Sequence, residues 1–182
     1  MNKVIAFILL LSFPCISTAK PAPIEWKELI EYSEVIAFVE VKSIHRVDLA
    51  NGFTEVQIVQ LLKGAPDSEI IKVHWELSTV SIPITDILSD YVLFLRPRDD
   101  GSYEPSVSSK SVWRLETVNF RDKGQNYIDM DLRLSMIESI PEDLYSLVQP
   151  DGCNNYVGSF EVKRIRLENL VKYFNDKRHL NL

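Results

Sequence analysis

The alternation of apolar and polar residues is clearest between residues 33 and 64. Val35–Val41 is apolar and rich in β-branched residues, and after a polar link at Asp48–Gly52 the alternation continues to Leu62. A period of two in such residues, bounded by Asn-Gly and Lys-Gly, is typical of antiparallel strands that pack one face on a core. The pattern therefore predicts a pair of long strands around which the rest of the chain is organised.

Turn residues separate further segments that predict more strands. Ile71–Leu77 alternates between apolar and polar residues, which favours a strand with one buried face. Tyr91–Leu95 is apolar on both faces, as is typical of a central strand. Later segments with strand character are 111–118, 127–134 and 156–165.

Helical patterns occur towards both ends of the chain. Ile24–Tyr32 has apolar residues at helix-compatible spacings and acidic residues between them, which predicts a short amphipathic helix. A second helix is predicted between residues 139 and 148, because Pro141 and Glu142 suit a first helical turn. Apolar residues at i, i+3, i+4 and i+7 predict a closing helix over Leu167–Phe174.

These elements predict a mainly β fold with flanking helices, in the α+β class. Short strands separated by turns indicate a small antiparallel sheet that is OB-like or strongly bent into a barrel, with a short N-terminal helix and C-terminal helices. Closing such a sheet also hides its edges. Because no repeat or composition break is visible in the sequence, residues 20–182 are predicted to form a single domain.

Residues 1–19 have the pattern of a signal peptide. A positive start at Lys3 precedes the apolar run Val4–Phe13, and small residues lead up to Ala19. We expect cleavage after Ala19, which predicts a periplasmic or secreted protein with no stable membrane anchor after cleavage. The run is shorter than the roughly 20 apolar residues that span a bilayer. An uncleaved anchor and a buried first helix remain open alternatives, whereas the bulky residues before Cys15 disfavour lipidation there.

The charge of the chain narrows the class of partner. Twenty Lys and Arg residues stand against 26 Asp and Glu residues, which gives a net charge of −6. Nucleic acids and anionic membranes reward clustered basic residues, so we expect neither as the main partner. The negative balance itself favours only the approach of a cationic partner, and we expect the partner to be another protein.

A resemblance emerges from the order of the apolar segments. They are Ser33-Glu-Val-Ile-Ala-Phe-Val-Glu-Val41, Val56-Gln-Ile-Val-Gln-Leu-Leu-Lys-Gly64, Ile71-Lys-Val73, Tyr91-Val-Leu-Phe-Leu95, Gly101-Ser-Tyr103 and Ser111-Val-Trp113. In this order the chain resembles exported bacterial proteins whose β-barrel is similar to that of tissue inhibitors of metalloproteinases and netrin modules. The resemblance covers roughly residues 33–118 and implies an OB-like barrel.

The inhibitory mechanism of that family does not carry over to this chain. The metalloproteinase inhibitors grip the target's zinc ion with an amino-terminal cysteine, whereas the mature chain is predicted to begin at Lys20. Barrels of this type host many functions, so the resemblance by itself assigns none.

Residues with reactive or metal-binding side chains are scattered along the sequence. His45, His74 and His179 are isolated and no H-x-x-H or C-x-x-C occurs, so we expect no metal and no cofactor. His74 falls on the polar face of its predicted strand, where it would be a surface residue that titrates near neutral pH. Cys153 is a candidate free thiol, and its acidic surroundings disfavour a reactive thiolate. Burial or an intermolecular disulfide remains open for it, and no catalytic residue is assigned.

Two segments are candidates for contact with a partner protein. Residues 78–89 are irregular yet contain Ile82 and Ile84, which either fold back on the core or form a contact patch. Trp113 is out of phase with the apolar residues beside it, so one face of its strand is predicted to be exposed. These three side chains are the predicted partner contacts.

The sequence leaves three classes of function open. The leading hypothesis is an exported, non-enzymatic protein-binding module, of inhibitor or immunity type, with an unknown target. The alternatives are a structural component of a bacterial envelope assembly and a hydrolase whose site is assembled from distant residues.

Overall fold

The computed structural model describes residues 22–77, 84, 87, 89–118, 125–128, 137–148 and 162–178. The strands are β1 Ile24–Glu25, β2 Val35–Arg46, β3 Asn51–Lys63, β4 Ile70–Glu76, β5 Asp90–Pro97, β6 Tyr103–Pro105, β7 Val112–Val118, β8 Gln125–Ile128, β9 Ile137–Glu138, β10 Tyr145–Val148 and β11 Val162–Ile165. The α-helices are α1 Trp26–Tyr32 and α2 Leu167–Arg178, and 3-10 turns lie at Ser108–Ser111 and Glu142–Leu144. The predicted mainly β fold with helices near both ends is confirmed.

Five of the strands close into a β-barrel. Its order is β2, β3, β4, β6 and β5, and β5 pairs back with β2 to complete the ring. All these pairings are antiparallel except that of β4 with β6, which is a parallel bridge between Val73 and Tyr103. The predicted barrel is therefore confirmed, while its antiparallel pattern has this one exception. β7 and β8 extend the sheet from β5 beyond the barrel.

The ring of strands separates two apolar cores. One fills the barrel and includes Ala37 and Leu93, and the other lies outside it under the helices and includes Ile36 and Phe94. Successive residues of a strand point to opposite faces. β2 and β5 thus contribute apolar side chains to both cores, which explains why Tyr91–Leu95 is apolar on both faces.

Trp26 holds the N-terminal helix against the barrel. Its indole ring stacks on that of Trp113 at a centroid distance of 5.6 Å and meets Phe94 edge-on at 5.9 Å. Its Nε1 donates a hydrogen bond of 3.2 Å to the hydroxyl oxygen of Tyr173 on α2. A single side chain therefore joins both helices to the outer face of the barrel.

The prediction of a helix between residues 139 and 148 is wrong. Pro141 is extended and leads into the single 3-10 turn at Glu142–Leu144, and the chain then continues as β10. β10 pairs along its whole length with β11, from Tyr145 opposite Ile165 to Val148 opposite Val162. A strand partner that supplies backbone hydrogen bonds outweighs the weak helical preference of a short segment.

The other predicted elements are confirmed as far as the described residues extend, except that the first helix begins at Trp26 and not at Ile24, because Ile24 and Glu25 form β1. β8 and β11 fall within or beside the predicted segments 127–134 and 156–165, and α2 begins at Leu167 as predicted and runs on to Arg178. The short parallel pair of β1 with β9 was not predicted, because two-residue strands carry no readable alternation.

Replacing Trp26 tests whether its ring holds the helices to the barrel. We expect Trp26→Ala to lower the free energy of unfolding by about 3–5 kcal/mol, the usual cost of removing a large buried aromatic side chain. The measurement is urea unfolding followed by circular dichroism. Tyr32→Ala is the matched control on the same helix, because Tyr32 is 59% exposed, and its effect should stay within about 0.5 kcal/mol. Equal effects of the two changes would contradict this role of Trp26.

Candidate functional site

The structure buries two of the three predicted partner contacts, Ile84 and Trp113. Ile84 is fully buried in the barrel core, and Trp113 is only 2% exposed. The contact-patch interpretation is therefore corrected for both side chains, and the fold-back alternative holds for Ile84. Ile82 and Cys153 lie outside the described residues.

Trp113 was misread because its strand is buried on both faces. Val112 belongs to the core inside the barrel, whereas Trp113 and Leu115 belong to the core under the helices. The Nε1 of Trp113 donates a hydrogen bond of 2.8 Å to the carbonyl oxygen of Lys110. Trp113 is therefore in phase with Leu115 and out of phase only with Val112, and both faces of the strand are buried because it lies between two cores.

Three exposed apolar side chains lie together where the long β2–β3 hairpin turns, namely Val47, Leu49 and Leu77. Four more exposed apolar side chains among the described residues lie at other positions, namely Tyr32, Val59, Ile70 and Ile87. Leu49 is 93% exposed and Val47 is 71% exposed in the loop between these strands. Leu77 is 53% exposed beyond the end of β4, and its backbone N–H donates to the carbonyl of Ala50 in the same loop. We call this group the hairpin end, defined as residues 47–50 together with Leu77.

Asp48 holds the loop in one shape. Its Oδ1 accepts hydrogen bonds of 2.7 Å from the backbone N–H groups of Ala50 and Asn51, and Asn51 Nδ2 donates to Oδ2 at 3.1 Å. The Asn51 side chain and these backbone N–H groups keep the pKa of Asp48 below its ordinary value. Such aspartate-capped turns fix the backbone locally, so the apolar side chains beside Asp48 project from an ordered loop.

The base of the hairpin end is locked to the barrel by Trp75. A side chain on Gly52 would collide with the Trp75 ring and the carbonyl of His45, so the close approach requires glycine. Trp75 Nε1 donates to Thr54 Oγ1 at 3.0 Å, and that hydroxyl donates to the carbonyl oxygen of Ile84 at 2.7 Å. The hydrogen-bond chain runs from the loop base into the barrel core.

A groove of about 500 Å³ with both polar and apolar walls opens beside the hairpin end. We call it the His74 groove, and its lining comprises Val47, Asn51, Gly52, His74, Trp75, Glu76, Arg96, Arg98, Glu104, Pro105 and Ser108. Glu104 joins its two arginines, since Arg96 Nη2 lies 2.6 Å from Oε1 and Arg98 Nη1 lies 2.7 Å from Oε2. The groove therefore has a fixed, internally paired charge pattern.

His74 is an unusual residue in this groove. Its Nε2 atom is buried and makes no hydrogen bond within the described residues, although Asp100 Oδ2 lies 3.9 Å away. Burial lowers the pKa of His74, and the positive charges of Arg98 and Lys72 lower it further against the pull of Asp100 and Glu104. A carboxylate at 3.9 Å without a hydrogen bond does not offset the lost hydration. The prediction of an ordinary surface histidine is corrected.

The outer face of the hairpin carries a cross-strand aromatic row. His45, Phe53 and His74 are directly opposite one another on β2, β3 and β4. The rings of His45 and Phe53 stack with centroids 4.6 Å apart, and those of Phe53 and His74 are 5.9 Å apart. Lys72 Nζ lies 4.0 Å from the centre of the Phe53 ring. The row stiffens the hairpin by cross-strand contacts.

Ser43, His45 and Glu55 form the cluster that most resembles a catalytic arrangement. Ser43 Oγ donates to Glu55 Oε2 at 2.6 Å and lies 2.8 Å from His45 Nε2. In a serine-hydrolase triad the imidazole stands between the hydroxyl and the carboxylate, whereas here the hydroxyl stands between the other two groups. Ser43 donates to the carboxylate here, and the order of the three groups is not that of a catalytic triad.

The described residues contain neither a cluster of metal-binding side chains nor a membrane-spanning helix. Among these residues, no group of three or more His, Cys, Asp or Glu side chains converges as a metal ion would need. Within the same part of the chain, no helix has the length and apolar character to cross a membrane.

Comparisons of the chain with protein-family models, curated proteins and solved structures found no match. The resemblance to the barrels of metalloproteinase inhibitors and netrin modules therefore stays a prediction, as do export and the class of partner.

His74 should make the protein less stable as the pH falls below neutrality. A histidine with a lower pKa in the folded state takes up protons on unfolding. Its contribution to stability is therefore complete above the ordinary value of 6.5 and is lost as the pH falls towards the folded-state pKa. We expect the free energy of unfolding, measured by urea titration from about pH 7.5 to about pH 5, to fall less steeply in His74→Gln than in the wild type.

His45→Gln is the matched control for this experiment, because it removes a histidine from the same aromatic row and keeps His74. An equally shallow pH dependence in both variants would contradict the assignment to His74.

Proposed function

We propose that this protein is an exported, non-enzymatic protein-binding module that contacts its partner through the hairpin end. The observation that carries the proposal is the exposure of Leu49 and Val47, which are 93% and 71% exposed, on a loop that Asp48 holds in place. Exposed apolar groups that cluster rather than scatter are characteristic of interaction sites. The partner surface that suits this end is an apolar pocket of another protein.

The order of the loop supports a binding role. A flexible loop loses conformational freedom when it is bound, at about 0.5–1.5 kcal/mol for each side chain that becomes fixed. Here the bonds of Asp48, the close packing of Gly52 on Trp75 and the tie from Leu77 to Ala50 restrict the backbone before any partner arrives. A rigid loop with an apolar tip is the arrangement expected of an inhibitor or immunity type of binder.

The His74 groove gives the contact a polar border. Its paired arginines and Glu104 lie next to Val47 and Asn51, so a partner that covers the hairpin end also meets a fixed set of charges. Apolar anchors surrounded by polar groups are the usual composition of a protein interface. Charges at such a border govern the choice of partner more than the strength of binding.

The export that this function requires is open to a direct test. We expect the amino terminus of the protein recovered from the periplasm or culture medium to be Lys20, because small residues precede the boundary after Ala19. Amino-terminal sequencing of that species is the measurement. A species beginning at Met1, or one carrying lipid on Cys15, would contradict it.

The contact itself is tested by a photo-crosslinking residue placed at Leu49. We expect one discrete crosslinked protein when cells that produce the variant are irradiated, since this side chain is almost fully exposed at the hairpin end. Val59 is the matched control, because it is also an exposed apolar residue, at 49%, but lies far along β3 from the loop. Mass spectrometry of the crosslinked band identifies the partner.

The pattern of crosslinks separates the open classes of function. One partner captured at Leu49 and not at Val59 supports a binding module. Capture at both positions within a large complex supports a structural component of an envelope assembly. No crosslink at Leu49 in the cells that naturally make the protein would rule out the hairpin end as its contact surface.

A further inference from the structure

A second cavity lies at the other end of β3 from the hairpin end. It is a cleft of about 700 Å³ between α1, the end of β3 and α2. Its lining comprises Trp26, Lys27, Ile30, Glu31, Leu62, Lys63, Gly64, Tyr173, Phe174 and Lys177. This volume is within the range of about 300–1,000 Å³ that is usual for small-molecule sites, and we call it the helix cleft.

The walls of the helix cleft are apolar and aromatic. Trp26, Tyr173 and Phe174 form an aromatic group with ring centroids between 5.4 and 6.3 Å apart. Ile30 from α1 and Leu62 from β3 complete the apolar lining. Such a surface accommodates an alkyl or aromatic group by removing it from water.

The rim of the helix cleft is positively charged in a chain that is negatively charged overall. Lys27, Lys63 and Lys177 line it against the single acidic residue Glu31, whereas the net charge of the chain is −6. Glu31 offsets one of these three positive charges through its exposed 3.6 Å pair with Lys27, which leaves an excess of two positive charges among the lining residues. The rim therefore attracts an anionic group.

Lys63 brings one of these charges to the apolar wall. Its Nζ donates to the carbonyl oxygens of Ile30 and Ser33 at 2.7 and 2.6 Å. An ammonium group has three N–H donors, and these bonds use two of them. Burial lowers the pKa of Lys63, while Glu31 and Glu34 oppose that change. The ammonium group is held in place by two carbonyl oxygens and partly removed from water, and its third N–H can form a charge-assisted hydrogen bond with an anion.

We propose that the helix cleft binds a small amphiphile with an apolar body and one carboxylate head, such as a medium-chain fatty acid. The body lies along Trp26, Ile30 and Phe174, and the carboxylate lies between Lys63 and Lys177. This ligand site is separate from the protein-binding function proposed above, since it uses the opposite end of β3. Charge complementarity favours this occupant over a cationic amphiphile or a second copy of this acidic chain.

Isothermal titration of the purified protein with dodecanoate, below the concentration at which it forms micelles, tests the site. We expect saturable one-to-one binding. Dodecyltrimethylammonium has the same alkyl chain with a cationic head, and we expect it to bind at least about tenfold more weakly, a difference of about 1.4 kcal/mol. Equal binding of the two amphiphiles, or binding without saturation, would overturn the proposal.

Two substitutions locate the bound dodecanoate. Ile30→Trp fills the cleft and should weaken binding at least about tenfold. Val59→Trp adds the same ring to an exposed position elsewhere and should leave binding unchanged. If circular dichroism shows that Ile30→Trp does not fold, Lys177→Glu takes its place as the cleft variant. This change reverses a charge at the rim and should also weaken the binding of dodecanoate. Dodecanoate affinity that survives the folded cleft variant would place the ligand elsewhere and refute the helix cleft.

Discussion

The closure of the barrel by β2 and β5 is the constraint on which the rest of the structure depends. β2 is hydrogen-bonded to β3 on one side and to β5 on the other, so its first half presents no free backbone edge. Unpaired strand edges invite association with other chains. Because the ring also separates an inner from an outer face, it requires two cores, and β2 and β5 supply apolar residues to both.

The outer core needs a cover, and the helices provide it. A barrel strand with an apolar outer face is stable only if that face is packed against another element. Trp26 meets this need by contacting the barrel through Phe94 and Trp113 and reaching α2 through Tyr173. The helices α1 and α2 thus both contribute to the outer core, although they are far apart in sequence. The helix cleft exists because α1 and α2 meet over the barrel without filling the space above Leu62 and Gly64.

The sequence predicted the barrel well and the candidate sites poorly, for physical reasons. Alternation over β2, β3 and β4 is a local signal, so the sequence predicts both these strands and their buried faces. Trp113 was predicted to be exposed because a second core is a tertiary property that no local period reveals. The two interpretations of Ile84 could not be separated because an irregular segment has no period that assigns its side chains to a core. The segment at 145–148 became a strand through pairing with the distant β11. The hairpin end did leave a signal, namely an isolated leucine inside the polar turn Asp48–Gly52, whereas the helix cleft left none.

Both candidate sites lie where the backbone groups and side chains of β3 are no longer engaged in strand pairing or in the inner core. In the middle of β3, main-chain groups are paired on both sides with β2 and β4, and alternate side chains such as Val56 are committed to the inner core. Main-chain groups and side chains become available to a partner or a ligand beyond the paired segments of β3. At one end of β3, the turn exposes Leu49, which packs against neither core. At the other end, Gly64 has a φ of +91°, and the chain leaves the sheet there beneath the helices. A closed barrel therefore confines recognition to its two ends, and here those ends differ in chemistry: one offers a protruding apolar tip, the other a concave apolar cleft with a cationic rim.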